Sequence, residues 1–347
     1  MDPTLWGLER RDGRLWMDGQ DLTGLSHRYG TPLHVASARR LRERCVQWKR
    51  AFEGYPGACR IHFSYKTNLV AGLLAVLHEA GLGAEVVNGY ELWLALQLGV
   101  HPDGIVMNGP NKREEELRAA VEAGIGLLVV DGLEELGRLE DIAAELDRPV
   151  RIGLRVCPDI VPRHMNTSSL TGSRRNQFGL DLRGGEVEEA LRRAVASPHL
   201  DLRGLMAHIG SGIHDLRAFQ KAVERLLDVH VDALRAGARP TVLDLGGGLG
   251  TCLSREFTTL EMLTYLGLGR LPRPPRPAPP DLVERYARAV VEAMETGCAR
   301  RKIDLPELVL EPGRAIASDA QVLLLTVGAV RERPGVGSFA LTDGGAM

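Results

Sequence analysis

From about residue 58 onward the chain alternates short β-rich runs with longer amphipathic ones, and does so eight times. The β-rich runs are ACRIHFSY (58–65), AEVVN (84–88), GIVMNG (104–109), LLVVD (127–131), VRIGLRV (150–156), DLRGLMAHI (201–209), TVLDLGGG (241–248) and ELVLEPG (307–313). Helical periodicity lies between most of them, over 71–80, 90–98, 112–123, 133–146, 187–196, 216–236 and 282–299. Such a pattern predicts an α/β chain closed into a (β/α)8 TIM barrel, with parallel strands inside a ring of helices. A doubly wound open sheet is the alternative architecture.

Three segments fall outside the repeat. Residues 1–35 carry hairpin-like punctuation (MDGQDLTG, then RYGTPLHVAS), and a helix from Ala38 to Phe52 leads into the first barrel strand. The proline-dense run RLPRPPRPAPPD (270–281) reads as an exposed irregular excursion before a helix. From Gln321, QVLLLTVGAV and SFALTD suggest two further strands, after which the chain stops at Met347. The expected division is a barrel over 36–320, with 1–35 and 321–347 as parts of a β-domain.

The 347 residues suffice for one large core or two domains, and the net charge of −2 comes from acids and bases that are well mixed. That pattern offers no footprint for nucleic acid or a membrane surface and favours a small neutral or zwitterionic substrate. Five scattered cysteines without a C-x-x-C pair indicate a reducing compartment. No run approaches the roughly 20 apolar residues of a membrane span, and the N-terminus has no apolar signal core, so the expected location is cytoplasmic.

In a barrel, chemistry belongs at the carboxyl ends of the strands. Those positions hold Lys66, Asn88, Asn108, Asp131, Arg155, His208, the run Gly246, Gly247 and Gly248, and Glu311 with Arg314. Asn88, Asn108 and Asp131 also suit helix caps and turns. The glycine run allows backbone N–H groups to converge as a phosphate nest, although tight turns need glycine too. In EPGRAI, Gly313 permits close backbone approach and Arg314 offers a fork of donors, while Glu311 either pairs with Arg314 structurally or has a separate task. His208, followed by Gly210, Ser211 and Gly212, is either a core histidine or a flat ring that stacks on a planar ligand. The P-loop lysine, the G-x-G-x-x-G spacing and metal-ligand spacings are all missing, so ATP, NAD and a catalytic metal fit poorly.

An amine, a phosphate nest, a guanidinium, a carboxylate and an imidazole on one rim suit pyridoxal 5'-phosphate. Its aldehyde calls for an amine, its phosphate for the nest, and its ring nitrogen for an acid. Lys66 is the expected anchor.

Over nearly its whole length the chain resembles the fold type III pyridoxal-phosphate decarboxylases, the group that holds the diaminopimelate and ornithine decarboxylases. The resemblance is carried, in order, by YGTPLHVAS, SYKTN, GAEVVNGYEL, NGPNKREEEL, VVDGLEEL, GLRVCP, TGSRRNQFGLDL, GLMAHIGSGIHD, LDLGGGLG, EPGRAI and TDGGAM. It implies an alanine racemase-like barrel and an amino-acid substrate, with Lys66 carrying the cofactor and His208 stacking on its ring. Ser211, Gly246 to Gly248, Gly313 and Arg314 would hold the phosphate, Glu311 would face the ring nitrogen, and Lys66, His208 and Glu311 would form the catalytic set. Glu85 counts among the implied cofactor contacts and Arg155 among the substrate contacts. An acid at Glu311 separates this pattern from the racemases of the same fold, which place a cation there.

The implied reaction is decarboxylation of an amino acid, with meso-diaminopimelate first and ornithine, arginine, lysine or a specialised-pathway amino acid as alternatives. A non-catalytic homologue that binds the cofactor or a partner is the reading from another class. Two departures bear on substrate choice: the family's SKFG stands here as Asn176-Gln177-Phe178-Gly179, and Asn88 replaces a serine. Relatives also continue past the DGG motif into a β-domain that supplies a cysteine and a tyrosine and completes a homodimer, so the β-domain is expected to be incomplete in this chain.

Overall fold

Short runs of branched and aliphatic residues become parallel strands here because both of their faces are covered. The computed structural model describes residues 3–163, 165, 170–251, 258–270, 272, 279–335 and 337–345. The chain divides into two compact units, one of residues 45–315 and one of residues 1–44 with 316–347.

In the larger unit eight strands pair in parallel: β1 (Cys59–Ser64), β2 (Gly83–Val86), β3 (Ile105–Met107), β4 (Leu127–Val130), β5 (Val150–Cys157), β6 (Leu200–Met206), β7 (Val242–Asp244) and β8 (Glu307–Leu310). Each pairs with the next in sequence, and β8 returns to β1 in the register Leu308 to Cys59, which closes the barrel. A ninth short strand, Leu180–Asp181, runs parallel to the outer end of β5. The predicted closed barrel is therefore the observed fold, and the open sheet is excluded.

A cluster of Val106, Leu127, Val129, Met206, Val242 and Val309 packs without solvent. Room for Leu127 comes from two glycines: a Cβ on Gly153 would lie 3.3 Å from its side chain, and one on Gly204 would lie 3.1 Å away. Outside the sheet lie α1 (Ala71–Glu79), α2 (Gly89–Gln97), α3 (Glu114–Ala123), α4 (Leu133–Glu145), α5 (Glu186–Ala196), α6 (Leu216–Arg235), α7 (Thr259–Leu268) and α8 (Leu282–Arg301). In α6 the buried residues Phe219, Ala222, Val223, Leu226, Val229 and Ala233 recur every three or four positions and form one apolar stripe. Phe219 meets Tyr286 of α8 edge-on at 4.8 Å between centroids, and Trp48 and Phe52 contact the same tyrosine at 5.8 and 5.9 Å.

Some element ends differ from those predicted. The seventh strand stops at Asp244 rather than 248 because Gly246 and Gly248 take φ of +61° and +101°, which turns the backbone out of the sheet. The eighth ends at Leu310, before Pro312, which has no N–H to offer a ladder. Helix α3 starts at Glu114 because Glu116 reaches back to the Arg113 backbone N–H at 2.8 Å; Lys112, predicted helical, is left outside it and buried. Helix α7 was not anticipated, and all of its apolar side chains are at least partly exposed.

In the smaller unit, strands Leu8–Arg11, Arg14–Met17 and Gln20–Asp21 form an antiparallel sheet, and Leu33–Ala36 pairs antiparallel with Gln321–Leu324. Val327–Arg333 and Gly337–Thr342 form a separate hairpin, so the tail holds three strands rather than two. The punctuation read as hairpin-like also contains a helix, Leu22–Tyr29, started by Asp21, whose carboxylate accepts the Thr23 N–H at 3.0 Å. Leu8, Met17 and Leu22 form its buried core. Within the proline-dense run, residues 271 and 273–278 lie outside the described residues, as does Cys252.

Phe219→Ala is expected to cost about 3–5 kcal/mol, since it deletes a buried ring from the contact with Tyr286. Urea unfolding with an unchanged slope checks this, and a loss below about 1 kcal/mol contradicts the packing described.

Candidate active site

Lys66 sits one residue into the single turn Tyr65–Thr67 that follows β1. Tyr65 anchors that turn: its ring is fully buried and its hydroxyl is 2.6 Å from His78 Nε2. The half-exposed Lys66 Nζ donates to both oxygens of the buried Glu85, at 3.2 and 3.0 Å. Burial draws the Lys66 ammonium down, but the carboxyls of Glu85 and Glu311 outweigh it and hold the proton above the ordinary lysine range.

Glu311 lies just beyond β8, and Asn108 Nδ2 donates to its Oε1. Burial pushes its carboxyl well above the ordinary range, and Asp244 and Glu85 add repulsion. Asp244 closes β7; burial raises it to about 7, although hydrogen bonds from Glu311 and from the Gly246 N–H favour its ionised form. His208 follows β6, and its Nδ1 accepts the Gly247 N–H at 3.2 Å, which leaves the ring proton on Nε2. Burial and the nearby Lys66 and Arg155 charges keep that ring neutral.

The glycines are required by contact. A Cβ at Gly246 would lie 2.6 Å from His208 Nδ1, one at Gly247 2.3 Å from the Glu311 carbonyl oxygen, and one at Gly248 2.0 Å from the Gly210 oxygen. At Gly313 it would meet Thr67 Oγ1 at 2.0 Å.

Lys66, His208, Ser211, Gly247, Gly248, Glu311, Gly313 and Arg314 line one cavity of about 50 Å³. Gly246 lies beneath the His208 ring and Glu85 contacts Lys66, so these candidates also belong to the site. Glu311 and Arg314 form no ion pair with each other. Arg155 does not line the cavity: it is buried, bonded to Asp131 at 2.9 Å, and stacked over the Phe178 ring at 4.6 Å. Asn88 is a helix cap, accepting the Glu91 N–H at 2.9 Å, whereas Asp131 serves Arg155 and the Gly179 N–H.

Sequence reading missed Asp244, whose signal was an acid inside the apolar run VLDL. It also missed the fully buried pair of Lys112 and Glu135, 2.7 Å apart, in which Lys112 Nζ also donates to the Gly109 and Val129 carbonyls. A larger groove of about 730 Å³ lies at the amino ends of β1 to β3, beside Lys49, Arg60 and His62. In barrels that face serves stability, and the convergent polar groups are all on the opposite rim.

Residues 38–318 match the family of pyridoxal-dependent decarboxylases through its pyridoxal-binding domain. The chain belongs to that family. It is 32% identical over 340 residues to the diaminopimelate decarboxylase of Bacillus subtilis, covering 97% of this chain and 72% of that one. With the enzyme of Halalkalibacterium halodurans it is 34% identical over 335 residues, covering 96% and 71%. The crystal structure of the Methanocaldococcus jannaschii diaminopimelate decarboxylase superposes with a TM-score of 0.83 at 29% identity, covering 97% of this chain and 73% of that one. The same enzyme has a structure in complex with L-lysine.

The protein is thus a pyridoxal-phosphate-dependent amino-acid carboxy-lyase. Its residues fit that cofactor: an amine, a buried acid and a glycine cradle with no room for side chains line one cavity. Among the described residues no helix is long and apolar enough to cross a membrane, and no cluster of three or more His, Cys, Asp or Glu could hold a metal ion.

Gly246→Ala is expected to displace the His208 ring and to weaken pyridoxal phosphate binding by about tenfold or more, with the far-ultraviolet spectrum unchanged. Absorbance titration of the apoprotein checks this; an unaltered affinity contradicts it. Stability should also carry the signature of Asp244. Below about pH 7 native Asp244 holds a proton that the unfolded chain releases near pH 3.8, so this contribution is lost as pH rises from about 4 toward about 7. Urea midpoints of the apoprotein should fall less over that window in Asp244→Asn than in the wild type, and parallel profiles contradict the assignment.

Proposed function

We propose that the protein converts meso-diaminopimelate to L-lysine and carbon dioxide, with Lys66 as the cofactor anchor and Glu311 as the partner of the ring nitrogen. One observation carries this reading: the buried acid Glu311 lines the same cavity as the lysine and acts on its charge. The substrate rests on the curated relatives, named diaminopimelate decarboxylases, and on the lysine complex of the similar M. jannaschii enzyme.

When bound, pyridoxal phosphate supplies an aldehyde for amines and a ring that accepts the electron pair freed as carbon dioxide leaves. Lys66 Nζ is the amine for that aldehyde, and Glu85 keeps it in place and shares its proton. Glu311 holds a proton at the ring nitrogen, which favours charge developing in the ring in the transition state over the ground state. His208, flat and neutral, would offer its face to the ring without adding a competing positive charge. Ser211, Gly246, Gly247, Gly248, Gly313 and Arg314 would hold the phosphate through backbone and guanidinium donors. Arg155, outside the cavity and held by Asp131, adds positive charge near Lys66 rather than a direct substrate contact. We further place the enzyme in the cytoplasm as a homodimer; the free thiols of the buried Cys45, Cys157 and Cys298 suit a reducing compartment.

Carbon dioxide release from meso-diaminopimelate, L-lysine, L-ornithine and L-arginine, with cofactor present, tests the substrate. Release from diaminopimelate alone is expected, and preference for another amino acid overturns the assignment. Lys66→Ala should lose the visible absorbance of lysine-bound cofactor, and an unchanged spectrum would remove Lys66 as anchor. Glu311→Gln should keep the cofactor while turnover drops on the order of a hundredfold or more. Near-normal turnover would exclude Glu311 from the reaction.

A further inference from the structure

We propose that Asp244 is a positioning residue for Glu311: it holds that side chain through a carboxyl–carboxyl hydrogen bond and ties it to the glycine loop. The inference rests on the assignment of Glu311 to the ring nitrogen.

Asp244 has no exposed surface. Its Oδ1 accepts the Gly246 N–H at 2.8 Å, at the start of the loop that carries Gly247 and Gly248. Its Oδ2 is buried, and no N–H or hydroxyl of the described residues reaches it. The group that does reach Asp244 is the Glu311 side chain. Two ionised carboxylates are both acceptors, so a bond between them requires one shared proton. Glu311 Oε1 already accepts from Asn108, which leaves the other oxygen for that proton.

The backbone repeats the connection, since Glu311 N–H donates to the Gly246 carbonyl at 2.9 Å. Asp244, Gly246 and Glu311 therefore form a closed triangle between β7 and β8, and Glu311 is the corner that lines the cavity. The titratable groups that act on Asp244 are Glu311, Glu85 and Lys66, and Asp244 in turn acts on Tyr286 of α8. Lys66 favours ionisation of the pair, Glu85 opposes it, and burial opposes it most, so the pair carries one proton and one negative charge near neutral pH. Asp244 thus occupies one Glu311 oxygen and leaves Oε1, already aligned by Asn108, as the acceptor for the ring N–H.

Two measurements on the apoprotein test this without turnover. The first is the infrared carbonyl stretch of a protonated carboxyl near pH 8, above the value of about 7 at which Asp244 gives up its proton. The second is affinity for 4'-deoxypyridoxine 5'-phosphate, which has the ring nitrogen and phosphate but no aldehyde for Lys66. The wild type should show a band that Glu311→Gln removes. Asp244→Asn should also remove it, because an amide N–H satisfies an ionised Glu311, and should weaken the analogue by about tenfold. Retention of the band in Asp244→Asn, with affinity within about twofold of wild type, overturns the inference while leaving Glu311 in place. If Glu311→Gln instead binds the analogue as tightly as wild type, the ring-nitrogen reading fails and the inference falls with it. Should Asp244→Asn not fold, wild type and Glu311→Gln decide: a band lost in the latter supports the shared proton, and no such band in wild type overturns it.

Discussion

The pairing of β8 with β1 is the interaction on which the site depends. Leu308, Val309 and Leu310 run beside Cys59, Arg60 and Ile61, and the Ser64 N–H reaches the Pro312 carbonyl just beyond them at 3.4 Å. That seam joins the first and last barrel strands and brings Lys66 and Glu311 to one cavity. Because all eight strands are parallel, their carboxyl ends share a rim, and every polar residue that ends a strand is delivered to the same face. An open sheet would have left Lys66 at one edge and Glu311 at the other.

Concentrating charge on that rim has an electrostatic cost, and the structure offsets it by pairing. Glu85 faces Lys66, Asp131 holds Arg155, and Glu135 neutralises Lys112. A buried charge left without its partner is strongly destabilising, so these pairs are mutually dependent. Glu311 and Asp244 depart from the rule of opposite charge, and they do so by keeping a proton. The protein therefore holds one deliberately acidic corner inside an otherwise balanced set of ions, at the point where a basic ring nitrogen would be received.

Much of this was legible in the chain. Strand and helix periodicity predicted the barrel, and reading the last polar residue of each strand recovered Lys66, His208, Glu311 and the glycine run, because a parallel barrel converts strand-end positions into neighbours. What was not legible lay between strands. Asp244 reads as one more residue of VLDL, Asn108 as a turn former, and Lys112 as the first residue of a helix. Their partners are distant in sequence, with Glu311 203 residues from Asn108, and no local spacing encodes such a bond. Helix α7 was missed because its apolar residues face solvent instead of forming a stripe.

The sequence by itself determined the class of fold, the cofactor chemistry and most of the groups that line the cavity, because these follow from local periodicity and from residue type at strand ends. Only the tertiary structure decided protonation and orientation. Whether Glu311 is an acid or a carboxylate depends on its burial and on Asp244 from another strand. Whether His208 is neutral depends on the Gly247 N–H and on the charges of Lys66 and Arg155 around it. Those are properties of electric fields and solvent exclusion, which arise only once the barrel has closed.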